Sequence, residues 1–181
     1  MNKPLPPRYS PSLVALHWLT LLLIIGAYAS IELRELFERG TPERDFMKWL
    51  HFNLGLTVFA VTGARLVARW FTPLPAALAG TPGWQVLSAR LLHLGLYLLL
   101  LAIPLLGWAI RSAEGHEVSL WGLGIPALLP ANEERAELLE EVHEVLGTVG
   151  YFLIGLHALA ALVHHYVQSD DTLRRMLPAR R

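Results

Sequence analysis

Four apolar stretches set the pattern of the chain: Leu13–Ile31, roughly Trp49–Ala64, Leu91–Ile110 and Val145–Val163. The hydrocarbon core of a bilayer is about 30 Å thick and takes about 20 helical residues to cross. The first, third and fourth stretches supply that length nearly unaided. The second is shorter, and Arg65 and Arg69 can extend it by running their aliphatic stems along the helix with the charge at the interface. No period-two alternation competes with a helical reading. The pattern predicts an all-α integral membrane protein, a four-transmembrane-helix bundle, as one domain over residues 1–181. The spans fall at about 12–32, 46–69, 88–111 and 138–167, with a loop at 112–134.

The polar connections refine this. "TPLPAALAGTPG" (Thr72–Gly83) is a Pro- and Gly-rich turn between the second and third spans. Ser112–Glu134 mixes apolar residues with turn formers, as a loop folded over the bundle end does. "EERAELLEEVHEVLG" has helical spacing and heavy charge. It reads as an extramembrane start to the fourth helix, with Asn132 as N-cap and acids in the first turns. Pro104 lies within the third helix, where a membrane protein tolerates it. "AYA" at Ala27–Ala29 is compatible with signal-peptide cleavage. The run before it is long for that role, and cleavage would discard His17, which matters below.

Charge gives an orientation. With four spans, the termini and second loop share one side and carry Lys3, Arg8, Arg65, Arg69, Arg90, Arg174, Arg175, Arg180 and Arg181. The other side carries Arg34, Arg39, Arg44, Lys48, Arg111 and Arg135. The positive-inside rule puts both termini in the cytoplasm. Trp49, Trp70, Trp84, Trp108 and Trp121 fall near span ends or loops, where interfacial anchors belong. The formal net charge is zero, which gives no footprint for nucleic acid. There is no cysteine, which excludes disulfides, thiolate metal sites, iron–sulfur clusters and covalently attached c-type haem.

Histidine carries the candidate chemistry. Ionisable residues within a membrane are costly and read as functional by default. His143 and His157 are fourteen residues apart, nearly four helical turns, so they share a face and stand about 21 Å apart along the axis. His17 lies just inside the inner end of the first helix, and His51 near the outer end of the second. Two levels result: His17 with His157 inside, and His51 with His143 outside. Facing imidazoles in a bundle core can supply both axial ligands of a haem iron. Gly55, one turn after His51, and Gly147 and Gly150, one and two turns after His143, leave room for a flat macrocycle. They also suit plain helix packing. Zinc prefers one compact four-ligand site, which two separated pairs suit poorly. A histidine proton relay in a haem-free channel or transporter is a further alternative. His93 lies near the His17 level and is an alternative inner ligand. His164 continues the His157 face, His165 points elsewhere, and His116 is a loop residue.

In order and spacing, "RYSPSLVALHWL", "LHFNLGL" followed by "RLVARW", "HLGLYLLLLAIPLLGW", "SAEGHEVSLWGL", "VHEVLGTVGYFLIGLHALAALVHHY" and "DDTLRRMLP" resemble the bacterial cytochrome b561 family over nearly the whole chain. The resemblance implies a multi-pass protein of the bacterial inner membrane with two non-covalent haems b. Its axial ligands would be His17, His51, His143 and His157. It also implies a quinone-site role for His164, with ubiquinone as electron acceptor. Some members oxidise superoxide at the outer face, so superoxide:ubiquinone oxidoreductase is the most specific expectation. The alternative is a non-enzymatic cytochrome b relaying electrons between a partner oxidoreductase and the quinone pool.

An anionic substrate calls for an electropositive outer site. The outer side is acid-rich, with Glu114, Glu117, Glu133, Glu134, Glu137, Glu140, Glu141 and Glu144. Arg34, Lys48 and Arg111 are the candidates for a local positive funnel.

Overall fold

The computed structural model describes residues 8–177. Lys3, Arg180 and Arg181, counted above for orientation, lie outside the described residues. Four helices dominate: α1 (Pro11–Leu33), α2 (Pro42–Phe71), α3 (Gly83–Ala113) and α4 (Glu133–Tyr166). All four are long and apolar enough to cross a membrane. Leu22, Phe71, Leu98 and Phe152 stand exposed on their surfaces. In water that would be a liability, but on a membrane bundle it is the lipid-facing surface.

The helices reach beyond their apolar cores because capping residues extend them. Ser10 accepts a hydrogen bond from Leu13 N, and Pro11 starts α1 where a proline costs no backbone bond. Pro42 does the same for α2. Asn132 caps α4, accepting from Arg135 N at 2.8 Å, with Glu133 and Glu134 in the first turn. α4 begins well before its apolar run and carries the charged segment as ordinary helix.

α1 packs on α2, α2 on α3 and α3 on α4. The start of α1, the segment after α4 and the α2–α3 connection meet at one end of the bundle, the terminal face. There Trp18 Nε1 donates to Met176 O at 2.7 Å and an Arg175 guanidinium nitrogen donates to Ala76 O at 2.7 Å. The α1–α2 turn and the α3–α4 loop form the opposite end, the loop face.

The α3–α4 loop is more ordered than its composition suggests. It contains a two-residue antiparallel pair, β1 (Ser119–Leu120) with β2 (Leu123–Gly124), which the hydrophobic pattern did not predict. Trp121 and Gly122 both have positive φ, 52° and 88°, the signs that a tight two-residue hairpin turn takes. The loop is clamped to α2. Trp121 N donates to Asn53 Oδ1, and Trp121 Nε1 donates to Thr57 Oγ1 at 3.0 Å. Asn53 is fully buried, and its amide nitrogen donates to Trp49 O, so both ends of its side chain are satisfied.

Candidate functional site

The structure brings together both histidine pairs picked out by depth. The His51 and His143 rings stand 6.1 Å apart between centroids, and the His17 and His157 rings 6.2 Å apart. A metal–imidazole bond is about 2 Å long, so two ring nitrogens on opposite sides of one metal put the ring centroids about 6 Å apart. Both pairs have that spacing. His93 also approaches His157, at 5.3 Å between ring centroids, about one ångström closer than His17. The His17 ring has the spacing that leaves room for an ion between it and His157, whereas His93 is exposed and closer in.

The surroundings of each ring agree with this arrangement. His51 Nδ1 lies 2.8 Å from Ala27 O. A carbonyl only accepts, so Nδ1 carries the proton and Nε2 keeps its lone pair, the usual second-sphere arrangement of a ligating histidine. The Nδ1 atoms of His17 and His143 are buried without a hydrogen-bond partner, as is that of His165 at the end of α4. His143 lies against Gly107, where a Cβ would stand 3.5 Å from the imidazole Cε1. Trp18 packs edge-on against His17, with centroids 5.5 Å apart. At Gly55 and Gly147, one turn after His51 and His143, a Cβ would meet nothing within 4 Å, so there is open space beside the histidine-bearing faces of α2 and α4.

Gly150 has a different use from the one its spacing suggested. A Cβ there would collide with the Tyr28 hydroxyl, which fills the notch and donates to Gly147 O at 2.8 Å. Tyr28 in turn packs at a tilt against Tyr151, whose hydroxyl donates to Glu32 at 2.7 Å. These contacts tie α1 to α4 through side chains. Sequence reading missed Tyr28 because a tyrosine in a membrane helix carries no signal unless its partner is known.

At the loop face, Arg34, Arg39, Gly40, Arg44, Asp45 and Lys48 line a pocket of about 280 Å³. Lys48 lies three residues before His51, hence one turn further out on the same helix. Glu35 pairs with Arg34 at 2.8 Å and with Arg44 at 3.1 Å. Arg44 is buried and also donates to Arg34 O and Phe37 O, so it holds the turn. Arg39 and Lys48 are exposed, and among the described residues they carry no ion pair. Arg111 stands apart from the pocket, over the Phe52 ring at 6.0 Å and 3.5 Å from Glu114. The acids Glu134, Glu137 and Glu141 line a separate pocket with Arg135 at the start of α4.

At the terminal face, His164 Nδ1 lies 2.5 Å from Asp170 Oδ2. His165 packs on Tyr166, and His116 sits in the loop near Glu114. Asp170 is a residue that sequence reading passed over, since "SDD" after a helix looks like an ordinary polar end.

Comparison with known proteins agrees with this architecture. The family model for prokaryotic cytochrome b561 matches residues 8–179. The chain is 38% identical to cytochrome b561 homolog 1 of Escherichia coli over 174 residues, which is 96% of this chain and 99% of that protein. It is 38% identical over 174 residues to the Yersinia pestis protein named "Probable superoxide oxidase CybB", covering 96% and 98%. Cytochrome b562 of Cereibacter sphaeroides is 31% identical over 179 residues, covering 96% and 98%.

Proposed function

Because the chain belongs to the prokaryotic cytochrome b561 family, and is therefore a multi-pass membrane electron-transfer protein that carries b-type haem, we propose that it holds two haems b. One lies between His51 and His143 and the other between His17 and His157. In this reading the protein oxidises superoxide at the loop face and reduces ubiquinone near the terminal face. The observation that carries it is the pair of imidazole couples, each with the spacing of two axial ligands, at two depths of one bundle.

Bound haem supplies the one-electron chemistry, and the chain supplies ligation, burial and access. The Ala27 carbonyl fixes the His51 tautomer, Gly107 lets the His143 ring lie against α3, and Trp18 fixes the orientation of His17. The basic pocket one turn above His51 gives an anion a place to arrive. The name of the Yersinia relative makes superoxide the anion to test first. His164, seven residues beyond His157 on the same helix, stands about 10 Å nearer the terminal face, at a depth suited to a quinone headgroup.

The excess of Lys and Arg in the termini and second connection of the sequence supports a cytoplasmic terminal face, with the loop face outside the inner membrane. A reporter fused after Arg181 is expected to read cytoplasmic. A signal from the opposite side would exchange the donor and acceptor faces.

Stopped-flow spectroscopy of the purified haem-loaded protein tests the reaction. Superoxide is expected to reduce the haem bands and added ubiquinone to reoxidise them. His164→Ala should keep both haems and the rate of reduction but slow reoxidation, with a smaller effect from His165→Ala. Absence of reduction by superoxide, with reoxidation by quinone intact, would leave a relay for a partner oxidoreductase. Absence of reoxidation would remove the quinone.

A further inference from the structure

The chain beyond α4 does not trail away. Val167 caps the helix, and Ser169 then takes φ +55°, a left-handed conformation that a non-glycine residue adopts only where its surroundings hold it. That turn sends the chain back against its own helix end. Asp170 N donates to His164 O at 3.0 Å, while Asp170 Oδ2 meets His164 Nδ1 at 2.5 Å. Asp170 Oδ1 is occupied as well, accepting from Thr172 N at 2.8 Å.

The segment is then pinned at its far end. Arg175 bonds Ala76 O on the α2–α3 connection, and Trp18, the neighbour of His17, donates to Met176 O. Asp170 is therefore held at the imidazole by backbone bonds on both sides. Burial pushes its carboxyl pKa up, but the hydrogen bonds from His164 and Thr172 outweigh this and hold it below the usual carboxylate range, so it is an acceptor.

We propose that Asp170 is the positioning residue of a proton-transferring dyad, fixing His164 so that Nε2 alone exchanges protons with the quinone. The proposal rests on the quinone reading of His164 given above. A carboxylate only accepts, so Nδ1 must carry a proton whenever the pair is formed. The nitrogen left for other chemistry is Nε2. Nearly a quarter of the His164 side chain is exposed, and among the described residues no hydrogen bond engages that nitrogen.

Reduction of a quinone to a quinol takes two electrons, drawn here from the reduced haems, and two protons, drawn from water at the terminal face. His164 gives the Nε2 proton to a quinone oxygen and regains one at the same atom from that water. Asp170 keeps Nδ1 protonated throughout, so the ring never presents the wrong nitrogen. The logic is that of the histidine–aspartate couple in hydrolases, where the carboxylate orients the imidazole without itself carrying the proton. A carboxylate that merely closed the helix end would not need the ring.

The test uses the full-length haem-loaded protein in lipid nanodiscs, reduced beforehand and mixed with a short-chain ubiquinone over a range of concentrations. Asp170→Ala is expected to lower the limiting rate of haem reoxidation about tenfold, the lower end of what loss of an orienting carboxylate costs. The half-saturating quinone concentration should change less than twofold. Asp170→Asn, which keeps an acceptor in the same place, should recover part of the rate. The double variant His164→Ala/Asp170→Ala should be no slower than His164→Ala alone.

A second measurement is independent of turnover. In protein labelled with 15N-histidine, His164 should show protonated Nδ1 in the native chain and the Nε2–H tautomer in Asp170→Ala. An unchanged limiting rate in Asp170→Ala alongside a slow His164→Ala would overturn the dyad and leave the quinone reading intact. A normal rate in His164→Ala would overturn the quinone reading itself. Loss of the inner haem in both Asp170 variants, or an unchanged tautomer, would make Asp170 a structural residue and end the proposal.

Discussion

Alanine at His51 or His143 is expected to remove one haem and leave the other, and alanine at His17 or His157 to do the reverse. Each ring has its counterpart at 6.1 or 6.2 Å, so under the proposed ligation each substitution would delete one of two ligands at one level and leave the other level untouched. The remaining imidazole faces a space built for two. Haem stoichiometry measured on purified protein is expected to fall from about two per chain to about one, and a redox titration should lose one of two steps. Which step disappears depends on the pair, because burial and hydrogen bonding tune each level separately.

The His51–His143 variants should be slow to accept electrons at the loop face. The His17–His157 variants should accept them and fail to pass them on. His93→Ala is expected to keep both haems, since its ring stands nearer to His157 than two rings on opposite sides of one ion would. Retention of both haems in His17→Ala, with loss of one in His93→Ala, would move the inner ligand from α1 to α3.

The legible parts of this protein are those set by distance along one helix. Fourteen residues between His143 and His157 fix their face and separation before any packing is known, and the antiparallel order of four spans then sets which histidines share a level, leaving His17 and His93 both as candidates to face His157. Asn132 was readable as a cap because capping is local. What could not be read depends on contacts between elements. Asn53 stands out in "LHFNLGL" as a polar residue in an apolar run, which signals a partner, but nothing in the chain says that the partner is the backbone of Trp121, 68 residues away. Gly150 was readable as a place needing space, but the sequence does not say that Tyr28 occupies it. Asp170 required the left-handed turn at Ser169, which no local pattern announces.

Charge shows the same division most clearly. Summed over the loop face, acids outnumber bases, which argues against an anionic substrate. In three dimensions the basic residues and three of the glutamates line different pockets. Glu134, Glu137 and Glu141 of the early α4 share theirs with Arg135, and Arg34, Arg39, Arg44 and Lys48 gather at the α1–α2 turn and the start of α2. At physiological ionic strength the Debye length is about 8 Å, so an approaching anion responds to the nearest cluster and much less to the total.

Arg39→Glu with Lys48→Glu should therefore cut the second-order rate of haem reduction by superoxide at least about tenfold at low salt, the range over which electrostatic steering acts. These two exposed residues are the ones to change, because Arg34 and Arg44 are committed to Glu35 and to backbone carbonyls that hold the turn. The native rate should fall steeply as salt is added and the variant rate hardly at all, so the two converge near 1 M, where the screening length is about 3 Å. Reduction by a small uncharged donor should be equal in both proteins, which separates steering from damage to the haem sites. Equal rates with superoxide at low salt would show that the pocket does not guide the anion. The Arg111 side of the loop face would then be the next approach to test.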